Sequence, residues 1–148
     1  MRAFMSNRPS MGYSWANKAN LGGRGAMPRS YLVCRSDELK DGDRRVVSCD
    51  GTQIGVFKVG NDIVAWHNEC PHRQGPVCQG RIYKRVIEPV AADGTVRELA
   101  YDESVTNIVC SWHGYEFNLK TGENQGYDKI KLRRAKTDER DGNIYVVV

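Results

Sequence analysis

The sequence predicts an all-β chain, an antiparallel sandwich or barrel, and three observations carry that prediction. Apolar residues recur in short runs with a period of two, as at Ile54, Val56 and at Ile63, Ala65. The runs end at turn-forming clusters such as Asp50-Gly51, Gly60-Asn61-Asp62 and Asp141-Gly142. No segment carries the apolar stripe of an amphipathic helix. Many short strands separated by glycine-bearing turns pack as two facing sheets or as one sheet closed on itself.

Residues 1–30 are rich in Gly, Ser, Asn, Arg and Met and have no apolar period, so they read as a flexible basic leader. Their acid-free, Arg-bearing composition is shared with organelle transit peptides. Tyr13, Trp15 and Leu21 could still pin part of the leader to the body or to a partner. Residues 31–148 follow as one domain. Strands are expected over 31–35, 44–49, 53–59 and 63–67, and the fourth delivers the chain into a loop at 68–80. Residues 81–90 and 95–101 flank Ala91-Ala92-Asp93-Gly94 and read as a hairpin of about residues 81–101. It is charged (Arg81, Lys84, Arg85, Glu88, Arg97, Glu98), so it is expected to project to solvent or a partner. Residues 107–110 lead into a second loop, and 116–119 leave it. Strands over 130–135 and 144–148, joined through Asp141-Gly142, close the fold.

At 148 residues the chain has material for one core. The net charge of +4 misleads. The leader holds five basic residues (Arg2, Arg8, Lys18, Arg24, Arg29) and no acid, which leaves 17 basic and 18 acidic residues over 31–148. The body is near neutral and lacks a basic face interleaved with aromatics, so no nucleic-acid partner is expected. No run of 18 apolar residues exists, so no membrane span is expected.

The chemistry concentrates in two boxes, Cys70-Pro71-His72 and Cys110-Ser111-Trp112-His113, with 37 residues between them. Two thiolates and two neutral imidazoles suit tetrahedral zinc. They equally suit a [2Fe–2S] cluster with one iron held by two Cys and the other by two His. The single residue inside the first box is tight for structural zinc, whose paired ligands usually have at least two between them. A two-iron cluster accepts it, because Cys70 can serve one iron and His72 the other. Cys34, Cys49 and Cys78 remain, an odd number that makes no disulfide framework. They read as reduced thiols in a cytoplasmic setting. Cys34 and Cys49 read as small buried hydrophobes, Cys78 as a loop residue outside the ligand set, and His67 as structural.

The stretches Cys-Pro-His-Arg-Gln-Gly-Pro-Val-Cys-Gln-Gly at 70–80 and Cys-Ser-Trp-His-Gly-Tyr-Glu-Phe-Asn-Leu-Lys-Thr-Gly at 110–122 resemble the cluster-binding loops of Rieske-type [2Fe–2S] proteins. They are most similar to the low-potential, ferredoxin-like branch that feeds oxygenases. The resemblance covers roughly residues 31–148. It implies a Rieske-like antiparallel sandwich or barrel with a two-loop cluster-binding subdomain and one [2Fe–2S] cluster per chain. It implies Cys70, His72, Cys110 and His113 as ligands, with Pro71, Gly75, Trp112, Gly114, Tyr115 and Phe117 around the cluster. Trp112, Tyr115 and Phe117 are expected to pack beneath it and keep water off. Gly75 and Gly114 are expected to let backbone N–H groups approach the sulfurs. The gap between boxes is longer than the family's, and the excess is assigned to the inserted hairpin.

Members of the high-potential branch carry a further Cys in each loop, bridged to one another. Those positions here are Gly75 and Trp112, so that bridge cannot form. Hydroxyl donors of the same branch fall at Tyr115 and Phe117, and a Phe donates nothing. The resemblance therefore implies a potential at the low end of a range of roughly −150 to +300 mV.

The implied function is one-electron relay from a reductase to a terminal oxygenase, with no small-molecule substrate of the chain's own. There are three histidines, two of them in the boxes, so a mononuclear iron held by two His and a carboxylate cannot be added. No Gly-rich dinucleotide fingerprint is present. The chain is thus expected to be an electron-transfer component without catalytic residues. Two alternatives stand beside the mobile carrier. One is a fixed accessory subunit similar to the small subunit of assimilatory nitrite reductase, to which the leader and hairpin would be docking material. The other is a zinc-stabilised interaction module, which would be colourless.

Overall fold

Two-residue turns with left-handed backbone set the frame. Asp50 and Gly51 (φ 48° and 82°) and Asp141 and Gly142 (φ 51° and 71°) each adopt positive φ. That pattern belongs to the tight hairpin turns whose twist matches the strands they join. The computed structural model describes residues 27–96 and 98–148. The leader expected over 1–30 therefore lies, up to residue 26, outside the described residues.

The strands are β1 (Ser30–Arg35), β2 (Arg44–Cys49), β3 (Thr52–Val59), β4 (Asp62–His67), β5 (Arg81–Ile87), β6 (Ala100–Val109), β7 (Glu116–Asn118), β8 (Arg134–Arg140) and β9 (Asn143–Val147). Among the described residues there is no α-helix, only single 3-10 turns at Ser36–Glu38 and Val77–Gln79. Nor is any helix there long and apolar enough to cross a membrane. All strand pairs are antiparallel. Six strands form one sheet in the order β1-β9-β8-β4-β3-β2, and its end strands β1 and β2 meet, so the sheet nearly closes into a barrel. The order β5-β6-β7 forms a second, three-stranded sheet.

Period-two alternation on β3 and β4 suggests one buried face, but both faces are covered. Ile54, Val56 and Ala65 point into the barrel with Ile144 and Val146. Phe57, Val59, Val64 and Trp66 point the other way and pack with Val77, Cys78, Ile108, Phe117, Leu119 and Leu132. This second core cements the barrel to the smaller sheet, and Cys70 and Cys110 belong to it. A fully buried side chain of the size of Phe57 contributes roughly 1.5–3 kcal/mol through burial.

Two expected elements differ. The hairpin does not end at Tyr101. β6 runs unbroken to Val109 and pairs with β5 from Ile87↔Ala100 down to Arg81↔Val109, with an irregularity at Lys84/Arg85. The charged segment is therefore the outer part of the hairpin that joins the two loops, rather than a separate graft. The strand expected over 130–135 lies at Arg134–Arg140 instead. Ile130 and Leu132 serve the second core from an irregular stretch, while Arg134 and Ala135 pair with β4 and the polar run after Ala135 finds its ladder on β9.

Candidate metal centre

Each box sits at the mouth of a loop closed by its own backbone. Cys70 donates its N–H to the Gly75 carbonyl (2.8 Å), and the Cys70 carbonyl accepts from Gln74 N–H (2.7 Å). The second loop repeats this. Cys110 donates to the Tyr115 carbonyl (2.9 Å) and accepts from Gly114 N–H (3.0 Å). Gln74 and Gly114 turn the chain with φ of 60° and 72°. The two loops thus share one hydrogen-bonded scaffold, with the cysteine at the root and the histidine near the tip.

The scaffold is pinned to the body at both ends of the first loop. Asn68 is 5% exposed. Its amide donates to Gln53 Oε1 and its Oδ1 accepts from Cys78 N–H, both at 2.8 Å. The guanidinium of Arg44 on β2 donates to the carbonyls of Cys78 and Gly80. Gly80 passes so close to Val109 that a Cβ would collide with its carbonyl oxygen. Cys78 rests on β3 at Gly55, where a Cβ would meet its sulfur at 2.7 Å. Asn68 and Arg44 carry no motif, and sequence reasoning passed over both. The cue for Asn68 is a polar residue directly following a buried strand.

The four box residues come together as two unlike pairs. The thiols of Cys70 and Cys110 are neighbours, each residue 2% exposed. Burial pushes the Cys70 thiol up, opposed by the backbone N–H of His72 and, more weakly, of Arg73, and reinforced by the Cys110 thiol. The imidazoles of His72 and His113 are exposed, with ring centroids 4.8 Å apart and planes perpendicular. Among the described residues no three His, Cys, Asp or Glu side chains converge on one metal position. A buried thiol pair with amides aimed at one sulfur, and an exposed imidazole pair carried by the same two loops, fit a two-metal group.

The surrounding residues divide. Phe117 is fully buried below the loops. Tyr115 is half-buried and stacks on His72, centroids 4.3 Å apart and planes 13° from parallel. Trp112 differs from expectation: it is 59% exposed and lies over Gly75 at the loop tip. Pro71 and Gly114 are exposed. The cause is the direction of the second loop, whose tip residues face outward while the chain turns back into the core only at Phe117.

The other candidates stand apart. Cys34, Cys49 and Cys78 are free thiols. Cys78 is buried beneath the first loop, and desolvation pushes its pKa up to about 12. His67 is buried, and its Nδ1 lies 2.8 Å from the Arg133 guanidinium.

A model of the family described as Rieske [2Fe-2S] domain matches residues 29–133. Human apoptosis-inducing factor 3 is 26% identical over 117 residues, 77% of this chain. The chain spans only 16% of that relative's length. Among solved structures, the ferredoxin of carbazole 1,9a-dioxygenase from Nocardioides aromaticivorans is similar, with 20% identity and a TM-score of 0.54 over 79% of this chain and 95% of that one. A Mycobacterium tuberculosis protein assigned as the small subunit of an NADH-dependent nitrite reductase has 17% identity and a TM-score of 0.59 over 82% and 96%. At these identities the likeness concerns the fold.

Proposed function

The chain belongs to the Rieske [2Fe–2S] domain family, whose cofactor is a [2Fe–2S] cluster, and on that premise we propose that it is a one-electron carrier. In this reading Cys70 and Cys110 hold one iron, and His72 and His113 hold the other. When bound, the cluster supplies a site that takes up and gives away single electrons. The observation that carries the reading is the segregation of the donors by depth, with the thiols at 2% exposure and the imidazoles at the surface. Backbone N–H groups of His72 and Arg73 stabilise negative charge on the Cys70 sulfur. Phe117 offers no hydroxyl, which favours a potential at the low end of the family's span.

His72, His113 and the exposed Trp112 form the face that a redox partner reaches. We assign that face to a reductase as donor and a terminal oxygenase as acceptor, with the chain itself having no catalytic residues and no small-molecule substrate. In the carbazole 1,9a-dioxygenase system, the ferredoxin is found in complex with its oxygenase. The three cysteines outside the proposed ligand set, Cys34, Cys49 and Cys78, are free thiols, which suits a reducing compartment such as the cytoplasm.

The test is anaerobic reconstitution followed by absorption and electron-paramagnetic-resonance spectra of the dithionite-reduced protein. His72→Ser and Cys110→Ser should abolish the cluster signal, while Cys34→Ser should leave it intact. Colourless protein that retains zinc would overturn the reading.

One observation favours a second reading, a fixed accessory subunit. The outer hairpin exposes Val86, Ile87, Val90, Val96, Leu99 and Tyr101 by 37–66%, apolar side chains that a larger subunit could cover. A stoichiometric complex that survives high salt would support it. A weak, salt-sensitive contact supports the carrier.

A further inference from the structure

The two loops interlock reciprocally. Under the shared scaffold Cys70 corresponds to Cys110, Gln74 to Gly114 and Gly75 to Tyr115. In each loop the residue two past the cysteine packs against the residue five past the cysteine of the other loop. Trp112 lies on Gly75, and His72 lies on Tyr115. One crossing rests on bare backbone, whereas the other rests on an aromatic ring.

We propose that Tyr115 is a positioning residue for His72, its ring serving as the platform that holds the imidazole in the orientation needed to bind metal. The inference deepens the functional reading above and rests on it. His72 is exposed, so nothing on its outer side limits its rotamers, and ordering a free side chain costs conformational entropy. Tyr115 meets the ring face to face at 4.3 Å, and His113 meets it edge-on at 4.8 Å. The imidazole therefore has two ring neighbours, one with its plane parallel to its own and one with its plane perpendicular. His113 has no such platform, because its aromatic neighbour Trp112 is 6.3 Å away and tilted by 80°. Tyr115 thus acts on one of the two imidazoles. It also covers one ring face from water, which slows replacement of the ligand by solvent. The stack uses the ring alone, so the hydroxyl is dispensable.

The experiment compares reconstituted full-length wild type with Tyr115→Phe, Tyr115→Leu and Tyr115→Ala. Two quantities are read: the rate of cluster bleaching under a chelator, and the nitrogen hyperfine couplings of the bound imidazoles by pulsed paramagnetic resonance. Tyr115→Phe should match wild type in both. Tyr115→Leu and Tyr115→Ala should bleach faster by a factor of about 2 to 10, the range expected for one lost aromatic stack. They should also alter the couplings of one imidazole and spare the other. Tyr115→Leu keeps apolar bulk and carries the test if the alanine variant does not fold. Unchanged couplings and bleaching in the leucine variant would overturn the inference, and so would a lowered melting temperature with unchanged couplings. A wild-type chain that binds no cluster would instead overturn the functional reading itself.

Discussion

Trp112 lies so close over Gly75 that a methyl group on the glycine would stand 2.9 Å from ring atoms Cγ and Cδ2 and 3.2 Å from the Cys110 sulfur. The glycine is required there as space between two loops. Gly75→Ala should push the indole outward and disturb the sulfur, at an overpacking cost of about 1–3 kcal/mol. Lower visible absorbance per protein after reconstitution is expected. Gly75→Ala combined with Trp112→Ala should recover part of it, and identical absorbance in all forms would count against the contact.

Gly122 combines two constraints. Its φ is +75°, and a Cβ would meet the Trp66 ring at 2.6 Å. Trp66 is fixed from its other end, since its indole N–H donates to the Leu119 carbonyl at 2.9 Å. Gly142 also has positive φ, but open space around it. Gly142→Ala should cost only the backbone term, about 1–2 kcal/mol. Gly122→Ala should cost that plus about 1–3 kcal/mol of overpacking. Urea midpoints of the two variants, compared with wild type, measure the difference.

The outer hairpin should be separable from the metal centre. Lys84 pairs with Thr106, and below that point Ile82↔Ile108 and Arg81↔Val109 continue to the loops. Replacing residues 85–105 by a two-residue Asn-Gly turn should give a folded, coloured protein with an unchanged midpoint potential. If the exposed apolar side chains of the outer hairpin serve a larger subunit, co-purification with it should be lost. A colourless product would show that the loops depend on the hairpin.

His67 should make stability depend on pH. Burial, and then the neighbouring Arg133, hold its pKa below the ordinary value of 6.5. A guanidinium only donates, so Nδ1 accepts at 2.8 Å and the ring is neutral with its proton on Nε2. The unfolded chain takes up a proton near pH 6.5, while the folded one resists until lower pH. Stability from this site is complete above the unfolded value and falls as pH drops towards the depressed folded value. Urea midpoints should fall between pH 7.5 and 5.5 more steeply for wild type than for His67→Gln. Parallel slopes would rule the histidine out as the cause.

The sequence alone determined the all-β class, the tight turns at Asp50-Gly51 and Asp141-Gly142, most strand positions and the two boxes. Each of these is a local matter, of backbone preference within a turn, side-chain period along a strand, or ligand spacing inside a box. The tertiary structure decided what depends on which surface lies opposite. It covered β3 and β4 on both faces, placed a ladder at Arg134–Arg140 where no apolar alternation marks one, and carried the hairpin down to Val109. It turned Trp112 outward and set Tyr115 beneath His72. A residue's neighbours along the chain limit its own conformation, but they do not say what a loop some 40 residues away will bring against it.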